Sequence, residues 1–387
     1  MGRVETSLGR PPAAFRKDAR AKKARATLNQ LIPSLLSAHP RARRGIEAAE
    51  LISDPPRRVS PDNVSAPRVV LQAADTLTAA RSLRDEALAD YKEISLAILN
   101  MASPLSPGGG FLNGAGSQEE SLCMRTTLLP SLRDEYYRLP ELAAVYTPDV
   151  LVFRDEQEDQ VLPKRDRWHV NCITAAMLRS PETERDALER GRYVHERDRE
   201  LVLQKMRMVL RIGQMKGDRV LVLGAWGCGA YGNPVGEIAA AWRRVLLPTP
   251  DARGKAKAQR ETWAGIDKIV FAIKDPGMAQ AFAAAFGQGL EHEEGPEPTE
   301  GEGAADVANH KRLDLKELQD RISELEARIE AAPSALLRSG LASIRQSLQA
   351  QVQEVEAGDT SSEESYSSSG GRARRHEVQQ QPGATKT

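Results

Sequence analysis

The chain has 387 residues, and Lys plus Arg and Asp plus Glu both total 54, so its formal net charge is zero. No global field then draws it to nucleic acid or a membrane surface, and any anionic ligand has to be recognised locally. The length leaves room for one large domain with accessories, and no stretch approaches the ~18 apolar residues of a spanning helix. The start, MGRVETSLGR, lacks the apolar run of a signal peptide, so an intracellular protein is expected, nuclear or cytoplasmic. Cys123, Cys172 and Cys228 stand at unrelated spacings, which suits neither a disulfide framework nor a tetrahedral metal site.

From Ala14 to Ser53 the chain is rich in Ala, Arg and Leu, and Leu28, Leu31, Leu35 and Leu36 recur at helical spacing, with Pro33 expected to break or bend the run. SDPPRRVSPDNVSAP reads as a loop. RVVLQ and ISLAILN then read as strands, with a helix between them opening on Asp75 or Thr76. After a glycine loop come a helix around Gln118 to Leu129 and strands at DVLVF and WHVNCITAA. A long helix follows from about Glu196 to Gln214. RVLVLGAWGCGAYGNPVGEIAAAWRRVLL reads as a buried strand, a glycine-rich turn and a helix starting at Pro234. KIVFAIKD adds a strand, and MAQAFAAAFG a helix stopped by Gly287. Alternation of this kind predicts α/β layers.

The expected organisation is a helical extension at 1–66, an α/β domain at 67–289 and an acidic linker at 290–310. A helical hairpin or short coiled coil at 311–357 follows, a candidate surface for self-association, and then a disordered tail at 358–387.

Two loops carry the chemistry. Gly108, Gly109 and Gly110 follow a strand and precede a helix, and Gly224 to Gly232 repeat that arrangement. Glycine lets main-chain amides approach a phosphate, and a helix N-terminus adds favourable partial charge. There is no GxxxxGK[ST], and GCGAYG lacks the GxGxxG spacing, so ATPase and dehydrogenase readings lose their support. After seven intervening residues, Gly110 is followed by Gln118-Glu119-Glu120, which with Ser117 also fits a capping box. A helix N-terminus favours an ionised carboxylate, whereas a bound anion and desolvation favour the protonated form, so a ligand could prime an acid here.

This GGG…QEE pattern, with LNMASPLSPGGGFLNGA around it and GAWGCGAYGN as a second phosphate loop, resembles the microbial-type poly(ADP-ribose) glycohydrolases over about residues 15 to 289. The resemblance implies a macrodomain-like three-layer α/β/α fold with a central mixed sheet, and hydrolysis of the ribose–ribose O-glycosidic bond of poly(ADP-ribose). It implies Glu120 as the proton donor and Glu119 as the anchor of a ribose hydroxyl. Adjacent helical residues point ~100° apart and flank a single bond poorly, which independently leaves one carboxylate to do the acid–base work.

By the same resemblance Gly108, Gly109, Gly110 and Gln118 contribute to substrate binding, and Gly227, Cys228, Gly229 and Ala230 offer amides from the other side. Tyr231 stands where the family has an aromatic, commonly Phe. Asn100 and Ser103, at the end of the strand, are candidates for ribose or base contacts or else for turn capping. No cofactor or metal is expected. The expected partner is poly(ADP-ribose) or an ADP-ribosylated protein, with neither membrane nor direct nucleic-acid binding.

His169, in an apolar strand, reads as a core histidine, and Cys228 as a weak candidate nucleophile with a lowered pKa. The rivals are a macrodomain reader that holds ADP-ribose without cleaving it, a hydrolase of single ADP-ribose units on protein, and a scaffold built on 311–357.

Overall fold

The computed structural model describes residues 13–57, 66–90, 94–155, 160–186, 190–247 and 261–293, with Ile322, Ile329 and Gln349 further on. The chain divides into two compact units, Met1–Glu297 and Pro298–Thr387. In the second unit those three residues are helical. The rest of the hairpin expected at 311–357 and the tail at 358–387 lie outside the described residues.

The first unit opens with α1 (Ala13–Ala26), a π-helical turn (Thr27–Leu31), α2 (Ile32–Ala38) and α3 (Pro40–Glu47). Pro33 does not end a helix. It sits in the first turn of α2, which continues directly from the π-helical turn, so the helical run passes through it. The segment expected to be a purely helical extension also supplies a strand, β1 (Glu50–Ser53), which pairs antiparallel with β4 (Ala143–Val152).

β2 (Arg68–Gln72) leads to α4 (Thr76–Ala89), whose N-cap Asp75 accepts from the Leu77 and Thr78 amides at 2.8 and 3.1 Å. β3 (Leu96–Met101), the glycine loop and α5 (Gln118–Arg125) follow, and β5 (Trp168–Ala175) lies beyond β4. A small hairpin of β6 (Thr183–Arg185) and β7 (Gly191–Tyr193) precedes α6 (Glu196–Lys216). The chain then runs through β8 (Val220–Leu223), α7 (Val235–Leu246), β9 (Lys268–Ala272), α8 (Pro276–Phe286) and β10 (Glu291–Glu293). The last of these adds a strand beyond Gly289, where the sequence reading ends the domain. It holds its edge through charge: Arg68 and Lys268 reach the carboxylates of Glu291 and Glu293.

The eight-stranded mixed sheet runs β1-β4-β5-β3-β8-β9-β2-β10. Pairs β1/β4 and β4/β5 are antiparallel, and the strands from β5 to β10 are parallel. Side chains on successive strand residues point to opposite faces, and both faces are buried. Leu221, Leu223, Ile269 and Phe271 join one core with α6, α7 and α8. Val220, Val222 and Val270 join another with α4 and Leu122 of α5. This is the expected three-layer α/β/α arrangement, and it explains why the central strands read as continuous apolar runs rather than alternating ones.

Phe271 is fully buried, with its ring centroid 5.7, 4.8 and 6.0 Å from those of Trp242, Phe282 and Phe286, so it joins the sheet to α7 and α8. Phe271→Ala is expected to destabilise the first unit by about 3–5 kcal/mol in urea unfolding followed by tryptophan fluorescence.

Candidate active site

β3 lies between β5, reached after it in the chain on one side, and β8, reached later on the other, so the connections diverge at its carboxyl end. Open α/β sheets form their ligand crevice at such a point. The loop leaving β3 and the loop leaving β8 both project from this edge.

Gln118 splices α5 to β3. Its side-chain Nε2 donates to Leu99 O at 2.7 Å and Thr76 Oγ1 at 3.1 Å, and its Oε1 accepts from the Met101 amide at 2.9 Å. At the other end of the helix, buried Arg125 donates to Asp75 Oδ1 at 2.9 Å. Gln118, expected to bind substrate, is thus engaged in fixing the helix. α5 is only eight residues long and needs both ties, because a helix of this length is marginal alone.

The next two residues are buried, Glu119 to 3% and Glu120 to 8% exposure. Each accepts a main-chain hydrogen bond from the glycine loop. Ser103 N–H donates to Glu119 Oε2 at 2.7 Å, and Gly110 N–H donates to Glu120 Oε1 at 2.8 Å. The Gly108 amide also donates to Glu119, and the Asn100 side-chain nitrogen reaches Glu119 Oε1 at 3.4 Å and Thr174 Oγ1 at 3.3 Å. Glu120 Oε2 is buried and has no hydrogen-bond partner.

The capping box is therefore absent. Ser117 takes an extended N-cap conformation without a side-chain cap bond, and Glu120 turns to Gly110 instead. The glycines make this possible. Gly109 has φ of +54°, and an ideal Cβ there would lie 2.7 Å from Glu120 Oε1 and 2.9 Å from Glu119 Oε2. The close approach that the triplet permits is first of all to the two carboxylates. The Gly109 amide itself bonds Ser106 O at 3.1 Å.

The second loop is clamped by a residue that the sequence reading missed. Asn233, buried to 2% exposure, donates to Leu178 O at 2.8 Å and Gly227 O at 2.9 Å, and accepts from the Tyr193 hydroxyl at 2.8 Å. Gly227 has φ of +81°, and a Cβ there would meet Met177 at 2.8 Å. Of the four residues expected to offer amides, Cys228 has its N–H bonded to Ala225 O at 3.0 Å, while Gly229 and Ala230 are exposed. Tyr231 hydrogen-bonds Ser103 through its side chain, which links the two loops.

Asn100 and Ser103 both hydrogen-bond Glu119, and the Ser103 hydroxyl also caps its own turn by accepting from the Leu105 amide at 3.2 Å. Cys228 is no activated nucleophile: burial pushes its thiol up to about 12. His169 sits at the opposite end of β5 from Thr174, and its Nε2 is buried without a partner. Burial, with Arg41 adding to it, lowers this imidazole to about 4 and keeps it neutral. Among the described residues no group of three or more His, Cys, Asp or Glu is arranged to hold a metal ion.

Fold and site together define a macrodomain-like α/β protein with a paired-carboxylate centre between two glycine loops. Residues 36–155 match the family model described as microbial-type PARG, catalytic domain. The chain is 26% identical to the crystal structure of poly(ADP-ribose) glycohydrolase from Thermomonospora curvata, over 70% of this chain and 98% of that one, with a TM-score of 0.51. It is 25% identical, over the same shares and with a TM-score of 0.50, to that enzyme bound to the inhibitor ADP-HPD. The Deinococcus radiodurans enzyme in complex with ADP-ribose is 25% identical over 64% of this chain and 96% of that one, with a TM-score of 0.47. No curated protein sequence matches. Over residues 36–155 the chain is thus similar to the microbial PARG catalytic domain, and its fold is similar to that of the Thermomonospora curvata glycosidase.

Desolvation, reinforced by the neighbouring Glu120 charge, outweighs the hydrogen bonds and pushes Glu119 up from 4.5 to about 8. A carboxyl raised on folding contributes stability that is present below its unfolded pKa and lost as pH rises through the folded one. Wild type should therefore lose stability between pH 4.5 and about 8. Glu119→Gln should flatten that slope and melt above wild type at pH 9 by differential scanning calorimetry. Parallel pH profiles for the two proteins would refute the assignment.

Proposed function

We propose that this glycosidase hydrolyses the ribose–ribose O-glycosidic bond of poly(ADP-ribose), releasing ADP-ribose, with Glu120 as its single acid–base group. The supporting observation is the asymmetry of the pair. Both Glu119 oxygens are occupied by protein donors, whereas Glu120 has one oxygen held by Gly110 and the other, Oε2, buried and unpartnered. A buried polar atom without a partner awaits one, and only Oε2 of this pair is oriented by the protein without being occupied by it.

In this mechanism the terminal ADP-ribose lies between the loops with its pyrophosphate on the second, at the exposed turn of Gly229 and Ala230. Its negative charge and the exclusion of water favour the protonated form of a neighbouring buried carboxyl. Glu120 Oε2 gives its proton to the departing ribose oxygen as the glycosidic C–O bond breaks. The oxocarbenium-like ribose is then attacked by water, whose proton returns to Glu120. Glu119, raised to about 8, keeps its proton at neutral pH, and although both its oxygens accept from the protein, that O–H can donate to a ribose hydroxyl. Tyr231, tied to Ser103, shapes the ribose pocket. A general acid–base group contributes about 10²–10⁴-fold, so the rest of the acceleration comes from holding the acetal carbon against Oε2.

No helix among the described residues is long and apolar enough to cross a membrane. We place the reaction inside the cell, on free polymer or on modified proteins.

The test is release of ADP-ribose from poly(ADP-ribose), with ADP-ribose binding measured in parallel by calorimetry. Glu120→Gln should lower kcat by about 10²–10⁴-fold and keep ADP-ribose binding. Glu119→Gln should weaken binding as well as turnover. Tight binding with no release by wild type would make the protein a reader. Release from mono-modified protein without chain shortening would make it a mono-ADP-ribosyl hydrolase.

A further inference from the structure

Although the chain as a whole is neutral, Phe15 to Arg25 hold six basic residues against one carboxylate, Asp18. This stretch is most of α1, and α1 lies against the catalytic loop. Arg20 Nε donates to Gly114 O at 2.8 Å, Gly114 packs on the Lys17 carbonyl, and Ala24 joins Phe111 and Met124 in a small core. Arg16 stands one turn before Arg20 on the same flank, and its buried Nε has no hydrogen-bond partner. Asp18 is two residues from each and so projects from the far side.

The connection to the carboxylates is short. Glu120 is held by Gly110, Gly110 O accepts from the Ala115 amide at 3.1 Å, and Arg20 Nε lies 3.8 Å from where a Cβ on Gly116 would stand. The second glycine loop reaches the centre from the other side, through Tyr231 and Ser103 to Glu119. If the terminal ADP-ribose spans the two loops, the chain on the leaving side of the scissile bond emerges past Glu120, toward α1. Each further unit of that chain carries a pyrophosphate, for which a guanidinium with open N–H groups is a matched partner.

We infer that Arg16 and Arg20 on α1 form a phosphate-binding rail for the stretch of poly(ADP-ribose) that continues beyond the bond being cut. The inference rests on the proposed glycohydrolase reading and adds a subsite to it. The rail distinguishes polymer from free ADP-ribose: a long chain engages both the pocket and α1, a single unit only the pocket. Because the contacts are charge-assisted and near the surface, they weaken with salt.

The test uses the full chain carrying Glu120→Gln, so that binding is read without turnover, and measures affinity for long poly(ADP-ribose) and for ADP-ribose by calorimetry. Adding Arg16→Glu should weaken polymer binding about tenfold, and Arg16→Ala by less, with ADP-ribose affinity unchanged. Arg20→Lys keeps the charge but not the fork and should fall between wild type and Arg20→Ala. Equal polymer affinity in the Arg16→Glu and parent proteins overturns the rail. So does an equal loss for single-stranded DNA where the parent binds DNA as tightly as polymer, since α1 is then a general polyanion surface. If wild type releases no ADP-ribose, the glycohydrolase reading fails alone, because the polymer-binding comparison still decides the rail. A parent protein that binds no polymer fails both.

Discussion

The structure of the site depends on one constraint, that two adjacent carboxylates are buried at the start of a short helix and must find donors there. A helix N-terminus alone offers orphan amides. Here the loop before the helix folds back and supplies others, from Ser103 and Gly108 to Glu119 and from Gly110 to Glu120. Unpaired, each charge would cost several kcal/mol to bury. The donors offset that cost only in part, and Glu119 takes up the remainder by keeping its proton near neutrality, pushed up to about 8. Repulsion between the neighbouring carboxylates is relieved by that retained proton.

This constraint accounts for the conformation of the loop. Three glycines shortly before the two acids look in the sequence like a cradle for phosphate. Their immediate task is nearer home, since a side chain at Gly109 would occupy the space of both carboxylate heads. The loop, the two acids and the Gln118 splice onto β3 form a single unit, in which moving any member displaces the others. The orientation of both carboxylates therefore comes from the fold's own hydrogen bonds.

Much of this was legible in the sequence. The apolar runs RVVLQ, VLVL and KIVFA became strands at the expected places, because a parallel sheet covered on both faces writes its strands as unbroken hydrophobic stretches. The two glycine loops, their order and the acid pair were enough to point to the family. β1, β10 and the hairpin of β6 and β7 were not legible: they are three or four residues long and largely exposed, and ion pairs at the sheet edge hold β10. The capping box was misread because its pattern is local, whereas the partner that Glu120 finds lies ten residues back across the loop. Asn233 was passed over because an Asn before Pro reads as a turn residue; its role in tying Gly227 to Leu178 and Tyr193 exists only once the β6–β7 hairpin has folded against it.

Net charge shows the same limit from the other direction. A total of zero excludes a global attraction to polyanions, yet it is a sum over residues that lie far apart. The Debye length at physiological salt is about 8 Å, so a ligand at the mouth of the site feels only what stands within that distance. Strongly basic α1 packs on the glycine loop, while the acidic run from Glu291 onward begins at a sheet edge next to β2, across β9 and β8 from β3. Neutrality and local attraction are thus compatible, and it is the fold that converts a scattered composition into a field with a direction. The first of the N-terminal helices, which periodicity alone described as a lead-in to the domain, is in this way packed on the loop that holds the two carboxylates.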